Sequence, residues 1–500
     1  MLVNPSIPNI NQHLVILGGG TAGWITANLM AKHWLQLGIK VTLVESRDIG
    51  VIGVGEGSTP QMLTFFDEIE VDESEWMPAC NATYKNGIRF DNWSKKPGYK
   101  SYFHPFASKI DAFTAPIFMQ NCVARLKGYD VHAHPDRYYL ATKLADKKLS
   151  PIASENFPFE IGYGYHFDSV LLGKFLRKIA LKRGVQHVEG TVNQVIQHPN
   201  GDVKEVKLEN GQTIAADLFI DCSGFHALLI GKTLKVPFIS YKENLFNDRA
   251  ITIPTPVSEN TNTATISTAM KCGWAWDIPL LNRTGNGYVY SSDFCTDDQA
   301  EFELREKLGM LESDTPARNI KMRVGRMEKH WASNVLAVGL SQGFIEPLEA
   351  TALHFVLETV NGFIRSYGAG GFTRKNQAEF NQNLNARFEG IRDYIVAHYR
   401  LNSRTDTDYW NANGNNNKIS TTLVQMINCW TSGGNLTQEI ESKRIASFYP
   451  PFSWHCLLAG YGVFPAEKQL LKDESQSQRY DLNEIDEFIR RASLNFKPYK

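Results

Sequence analysis

The sequence predicts an α/β fold: a Rossmann-type dinucleotide-binding core with an inserted antiparallel sheet and a mostly helical C-terminal region. Three observations predict it. A β-branched strand runs straight into a glycine loop and an amphipathic segment over residues 13–37. Glycine-ended apolar strands return near residues 218–224 and 335–340. Beyond Gly371 the apolar spacing becomes that of helices.

The first strand is His13-Leu14-Val15-Ile16-Leu17, short and apolar as a strand buried on both faces should be. The loop Gly18-Gly19-Gly20-Thr21-Ala22-Gly23 follows. Gly18 makes the tight turn, Gly20 lets a pyrophosphate approach bare backbone, and Gly23 lets helix and strand pack closely. Apolar residues Trp24, Ala27, Ala31, Trp34 and Leu35 then mark one face of a helix, whose N-terminal amides favour phosphate. A second strand, Lys40-Val41-Thr42-Leu43-Val44, ends in Glu45, placed to take the ribose hydroxyls about twenty residues past the loop.

Residues 49–59 are glycine-rich, too irregular for a strand and too apolar for a linker, and read as a buried loop against a ligand or as a tight connection. Lys85 lies in an uncharged, aromatic-flanked segment; a solvated surface charge is the ordinary alternative. Residues 99–150 read as loops and short helices, with His104 among aromatics, either structural or reaching a site. Asp168 and Ser169 suit a helix cap. Alternation at residues 186–192 and 203–208, with Asn210-Gly211 as a turn, gives the antiparallel insertion. In Gly273-Trp274-Ala275-Trp276-Asp277-Ile278-Pro279 a strand would put both indoles on one face, as a packed corner or the wall of a site. The strand at residues 335–340 leaves through Gly339 into a turn with Glu346 and Glu349, then a helix from Leu353. That arrangement again suits an anion or flavin, although two acids there also complement a helix dipole. In the last third, residues 372–400 are helical in pattern, residues 409–417 read as an Asn-rich loop or lid, and Tyr449, Phe452 and Trp454 form an aromatic group. The chain divides on this reading into a core over residues 1–370 and a covering region over 371–500.

Composition excludes several classes. With 52 basic and 53 acidic residues there is no global attraction to nucleic acid or anionic membrane. The seven cysteines are scattered without CxxC spacing, so no metal site is indicated. No apolar run is long enough to span a bilayer and no signal peptide is evident, so a cytoplasmic enzyme is expected. Assembly into a homo-oligomer is left open by the sequence.

Read together, Trp274-Ala275-Trp276-Asp277-Ile278-Pro279 and the glycine loop resemble the flavin-dependent halogenases, the tryptophan halogenase-like family. The likeness continues through Ile52-Gly53-Val54-Gly55-Glu56, Cys80-Asn81-Ala82-Thr83-Tyr84-Lys85, Ile220-Asp221-Cys222-Ser223-Gly224-Phe225, Gly287-Tyr288-Val289-Tyr290-Ser291-Ser292 and Glu346-Pro347-Leu348-Glu349. It implies an FAD-binding core of the flavin monooxygenase kind, with Gly18, Gly20, Thr21, Ala22, Gly23, Glu45 and Gly339 toward the cofactor. It implies that a separate flavin reductase supplies reduced FAD, and that dioxygen and a halide ion (chloride, bromide or iodide) then give hypohalous acid. The oxidant passes to Lys85 and halogenates a small electron-rich aromatic, with Glu349 rather than Glu346 taking the arene proton. Trp274 and Trp276 would wall substrate from flavin, with His104 and Trp454 on the substrate side.

One departure concerns the halide. The family follows the glutamate with Ser-Thr-Gly, whose last two amides hold chloride; here Ala350-Thr351-Ala352 stands in its place. The backbone amides of Thr351 and Ala352 survive, but the methyl of Ala352 alters the pocket. Two other readings compete: a flavin monooxygenase that inserts oxygen, and a flavin-binding protein without turnover.

Overall fold

The computed structural model describes residues 10–47, 55–258, 261–445, 447–466, 470–471 and 481–499. The 49–54 part of the glycine-rich stretch, including Ile52-Gly53-Val54, lies outside the described residues.

The centre of the fold is a six-stranded sheet. His13–Leu17 lies between Lys40–Glu45 and Leu218–Asp221, both parallel to it, as the fully buried run Leu14 to Leu17 requires. Val335–Ala337 extends the parallel order beyond Leu218–Asp221. On the other side the edge strand is Gln186–Glu189, parallel to Lys40–Glu45. This corrects one expectation: residues 186–189 belong to the nucleotide sheet, and their alternation is that of a half-exposed edge. The antiparallel insertion is Val192–Gln197, Val203–Leu208 and Thr213–Ala215, with Asn210-Gly211 in its last turn.

The loop leaving the first strand turns as the glycines demand. Gly18 has φ +118°, and a Cβ there would lie 2.2 Å from the Cys222 carbonyl oxygen. A Cβ on Gly23 would lie 1.9 Å from the Gly18 carbonyl oxygen, so helix and loop meet only because it is absent. The helix Thr21–Trp34 therefore starts inside the glycine motif and continues as a 3-10 turn to Leu37, closed by Gly38 at φ +79°.

A seven-stranded sheet forms the second layer. Gly273–Pro279 pairs antiparallel with Thr284–Tyr290 and Thr265–Ala269, so Trp274 and Trp276 share a face. This sheet also takes in Gly87–Asp91 and Ser101–Pro105. The latter corrects the loop-and-helix reading of residues 99–150. Four of its five residues are buried, so it carries no polar–apolar alternation to betray it.

A small third sheet holds Gly55–Gly57 and Thr83–Lys85 on either side of Gly164–Asp168. The end of the glycine-rich stretch is thus a short strand rather than loop. Asp168 does cap the next helix, accepting from the amides of Val170 and Leu171.

The C-terminal region is mostly helical, led by Ala352–Ala369 and Gln377–Leu401. It is tied back to the core by the strand Phe496–Pro498, antiparallel to Leu149–Ala153. Residues 408–415 are a helix, not a solvated lid: Thr407 caps it, and Tyr409, Trp410 and Asn413 are buried at helical spacing. Among the described residues no helix is long and apolar enough to cross a membrane.

The two glycines make opposite predictions. Gly23→Ala forces backbone against backbone and should lower stability by about 2 kcal/mol or more. Gly20→Ala meets nothing within 4 Å, so it should melt like the parent while binding FAD more weakly. Thermal melts and flavin titration of both variants check this, and equal melting losses would undo the assignment.

Candidate active site

The glycine loop, the tryptophan strand and Lys85 face one cavity of about 1050 Å³. At one end stand Gly18, Gly20, Thr21 and Ala22; Glu45, Arg177, Cys222 and Gly339 close round them. The place where a Gly20 side chain would project is empty, which is the opening a phosphate needs. No side chain caps the helix that begins at Thr21 and no acid occupies its first turn, so its positive end is left to a ligand. The Glu45 carboxylate reaches the cavity held 3.0 Å from Arg177 and 2.9 Å from His187. Gly339, at φ +71°, passes so near Ala22 that a Cβ would come within 2.9 Å of its methyl. An open phosphate cradle, an acid at the ribose position and this volume fit FAD.

Midway along the cavity the indoles of Trp274 and Trp276 stand 6.0 Å apart. Trp276 lies over Gly287, where a Cβ would be 2.2 Å from the ring. Trp274 Nε1 donates to Glu346 Oε2 at 2.9 Å, an oxygen that also accepts from Asn247 at 2.7 Å and Tyr399 at 2.8 Å. Burial pushes the Glu346 carboxyl pKa up despite these donors. Its work is to hold the indole in place.

Lys85 forms the far wall. It ends the strand Thr83–Lys85, is wholly buried, and its Nζ has no hydrogen-bond partner among the described residues. Gly57 leaves room for it, since a Cβ there would stand 3.1 Å from Nζ. Phe106 offers a ring face 5.5 Å away. Burial lowers the Lys85 pKa to about 7, against the opposing charge of Glu349. His166, held by Thr83 and Thr265, is kept neutral by burial and by Lys85.

Glu349 closes the turn Pro347–Glu349 and is also buried. Burial pushes its pKa up, but His104 and His398 more than reverse this and hold it at about 2. His104 Nδ1 lies 2.9 Å from Oε2 and His398 Nε2 lies 2.9 Å from Oε1. Behind them, Ser453 is 3.1 Å from His104 and the Tyr461 hydroxyl 2.7 Å from His398. The result is a fixed carboxylate anion within electrostatic reach of a cationic or neutral amine.

A model of the tryptophan halogenase family matches residues 13–477. The chain belongs to the tryptophan halogenase family. Tryptophan 6-halogenase SttH from Streptomyces toxytricini is 34% identical over 93% of each chain. Tryptophan 7-halogenase RebH from Lentzea aerocolonigenes is 33% identical over 90% of each. Among solved structures, a tryptophan halogenase from Shewanella frigidimarina superposes with TM-score 0.85 at 30% identity, covering 99% of this chain and 97% of that one. BrvH, a flavin-dependent halogenase from Brevundimonas sp. BAL3, gives 0.81 at 30% identity over 97% and 95%. The protein is thus a flavin-dependent halogenase, an oxidoreductase, rather than an oxygen-inserting monooxygenase or an inert flavin binder.

In this halogenase the expected site residues fall into three places. The glycine loop, Glu45 and Gly339 meet at the cofactor end; Trp274 and Trp276 line the middle; Lys85, Glu349 and His104 gather at the far end. Of the halide pair, Ala352 lines the cavity and begins an uncapped helix, with Ala350 before it in the left-handed region at φ +56°. The Thr351 hydroxyl is buried without a partner. Trp454 stands apart from the cavity, edge-on to Tyr394 at 4.8 Å. The sequence reading missed His398, Ser453 and Phe106. Tyr394 and His398, one turn apart on a helix, were the available signal.

The Lys85 shift makes a stability prediction. Folded Lys85 releases its proton near pH 7, whereas an unfolded lysine keeps it to about 10.5. Its penalty is therefore full below pH 7 and fades as pH rises toward 10.5. Lys85→Met should raise stability at pH 6 by on the order of 2–4 kcal/mol, with a gain that shrinks by pH 9 to 10. Denaturant melts across pH check it; a pH-independent gain would contradict it.

Proposed function

We propose that this halogenase takes reduced FAD from a separate flavin reductase and oxidises halide with dioxygen to hypohalous acid. The oxidant is held at Lys85 and halogenates a small electron-rich aromatic of the indole or phenol type. One observation carries the reading: a buried lysine amine with no hydrogen-bond partner among the described residues, at the end of the cofactor cavity and beside a carboxylate anion.

Bound FAD supplies the electrons that activate dioxygen. The chain does the rest. Ala352 and the uncapped start of its helix offer amides and a positive end for halide beside the cavity. The indole pair keeps an aromatic substrate off the cofactor while leaving a path for a small oxidant. At Lys85 an ammonium donates to the oxygen of the oxidant, and a neutral amine can take the halogen itself; near pH 7 both forms are present. As the arene carbon gains halogen, its proton passes to Glu349, and the oxidant's hydroxide takes a proton from the Lys85 ammonium and leaves as water. His104 and His398 keep Glu349 deprotonated and aimed. The relatives named above are tryptophan halogenases, which favours an indole.

Mass spectrometry of products from an indole and phenol panel tests this. Each reaction contains FAD, a flavin reductase, NADH and oxygen, with chloride, bromide or iodide supplied separately and catalase present. Halogenated product is expected, and its halide ranking reads the effect of Ala352. Hydroxylated product, or none from any arene, would overturn the proposal.

Two substitutions test the residue roles. Lys85→Ala should abolish halogenation while leaving FAD affinity within about twofold, because its Nζ serves only the far end. Glu349→Gln should lower kcat by about 100-fold or more, and Glu346→Gln by far less, since a glutamine oxygen still accepts from Trp274. The reverse order would show that the wrong glutamate has been assigned.

A further inference from the structure

Away from the flavin, a second cavity of about 660 Å³ contains Cys272 and Cys295 together with Lys271, Phe294 and Glu303. The two cysteines are brought there by the main chain around Ser291. The Ser291 amide donates to the Cys272 carbonyl at 3.2 Å, and the Cys295 amide donates to the Ser291 carbonyl at 3.1 Å. Their thiols lie close enough to perturb one another. Cys272 also donates to the Phe294 carbonyl at 3.5 Å and Cys295 to the Thr296 carbonyl at 3.4 Å. The pair is asymmetric. Cys272 is half-buried and Cys295 only 5% exposed. An accessible thiol backed by a second, sheltered one is the arrangement of an oxidant-sensing pair.

We propose that Cys272 and Cys295 form an oxidant-accepting dithiol site, separate from the flavin cavity, that closes to a disulfide with hydrogen peroxide. The Cys272 thiolate attacks one peroxide oxygen, the O–O bond breaks, and hydroxide leaves; Cys272 becomes a sulfenic acid. The Cys295 sulfur then attacks Cys272, expelling the second oxygen as water. In sum, two thiols lose two electrons and two protons, and one peroxide becomes two waters. Both side chains line the same cavity and are tied through the Ser291 main chain, so the link does not have to join distant parts of the fold. The neighbouring Cys295 and the charge of Lys271 lower the Cys272 pKa against burial and Glu303, which favours it as the attacking thiol. The proposal rests on the flavin reading only for its source of peroxide, formed when reduced flavin meets dioxygen without oxidising halide. The site lies where this matters: Cys272 immediately precedes the strand Gly273–Pro279 that carries both indoles.

The test adds peroxide directly to the full-length protein without flavin turnover, so its failure is distinct from failure of the halogenation reading. After about one equivalent of hydrogen peroxide, free thiols are alkylated and the protein is digested without reductant. A peptide linked through Cys272 and Cys295 is expected, with both thiols blocked together and recovered by dithiothreitol. In Cys295→Ser, dimedone should label Cys272 and no link should form. Without oxidant, Cys272 should alkylate about tenfold faster than half-buried Cys429, whose pKa burial raises. Independent alkylation of Cys272 and Cys295 after peroxide, or oxidation that stops at Cys272 in the unmodified protein, would overturn the proposal.

Discussion

The site depends on one electrostatic arrangement: a lysine amine and a glutamate carboxylate buried in the same low-dielectric region but satisfied differently. Glu349 has a histidine on each oxygen, whereas Lys85 has no hydrogen-bond partner among the described residues. If the two formed a direct ion pair, each would quench the other and neither would be ready for a ligand. The histidines hold the carboxylate as an anion, and burial leaves the amine costly to protonate. A buried unsatisfied amine costs stability.

The fold supplies this geometry through close backbone approaches. Lys85 ends a strand of the small sheet, and Gly87, two residues later, begins a strand of the large one. A Cβ on Gly87 would lie 2.4 Å from the His104 carbonyl oxygen, so the strand that follows the lysine approaches the histidine strand only through a glycine. Gly57 clears the space for Nζ, and Gly287 the space for Trp276. Glu349 arrives separately, from the turn after the nucleotide sheet, and His398 from the long helix of the C-terminal region. Four parts of the chain therefore converge on one amine and one acid.

That convergence explains what the sequence could and could not disclose. The nucleotide end was legible because it is local: strand, glycines, helix and Glu45 lie within residues 13–45, and each glycine answers a nearby backbone. The shared face of Trp274 and Trp276 followed from period two alone. The strand Ser101–Pro105 was hidden because its buried run has no alternating pattern, and the helix at residues 408–415 because its asparagines resemble a loop. His398 was hidden for another reason. Nothing near it in sequence shows that its ring meets a carboxylate 49 residues away.

The carboxylate's setting also bears on why the acid near the cofactor wall is Glu346 and the acid near the lysine is Glu349. Three residues separate them across the turn Pro347–Glu349, yet their partners are of opposite character. Glu346 meets an indole N–H, an amide and a phenol, all neutral donors converging on a single oxygen, while its other oxygen is buried without a partner. Burial then prevails and its pKa rises. Glu349 meets two imidazoles, one on each oxygen, and its pKa falls. The hydrogen-bonded oxygen of Glu346 orients a tryptophan, whereas Glu349 is held as an anion with an imidazole on each oxygen. The turn thus places two chemically identical side chains in environments that give them different work, and the division follows from their donors rather than from their position in the motif.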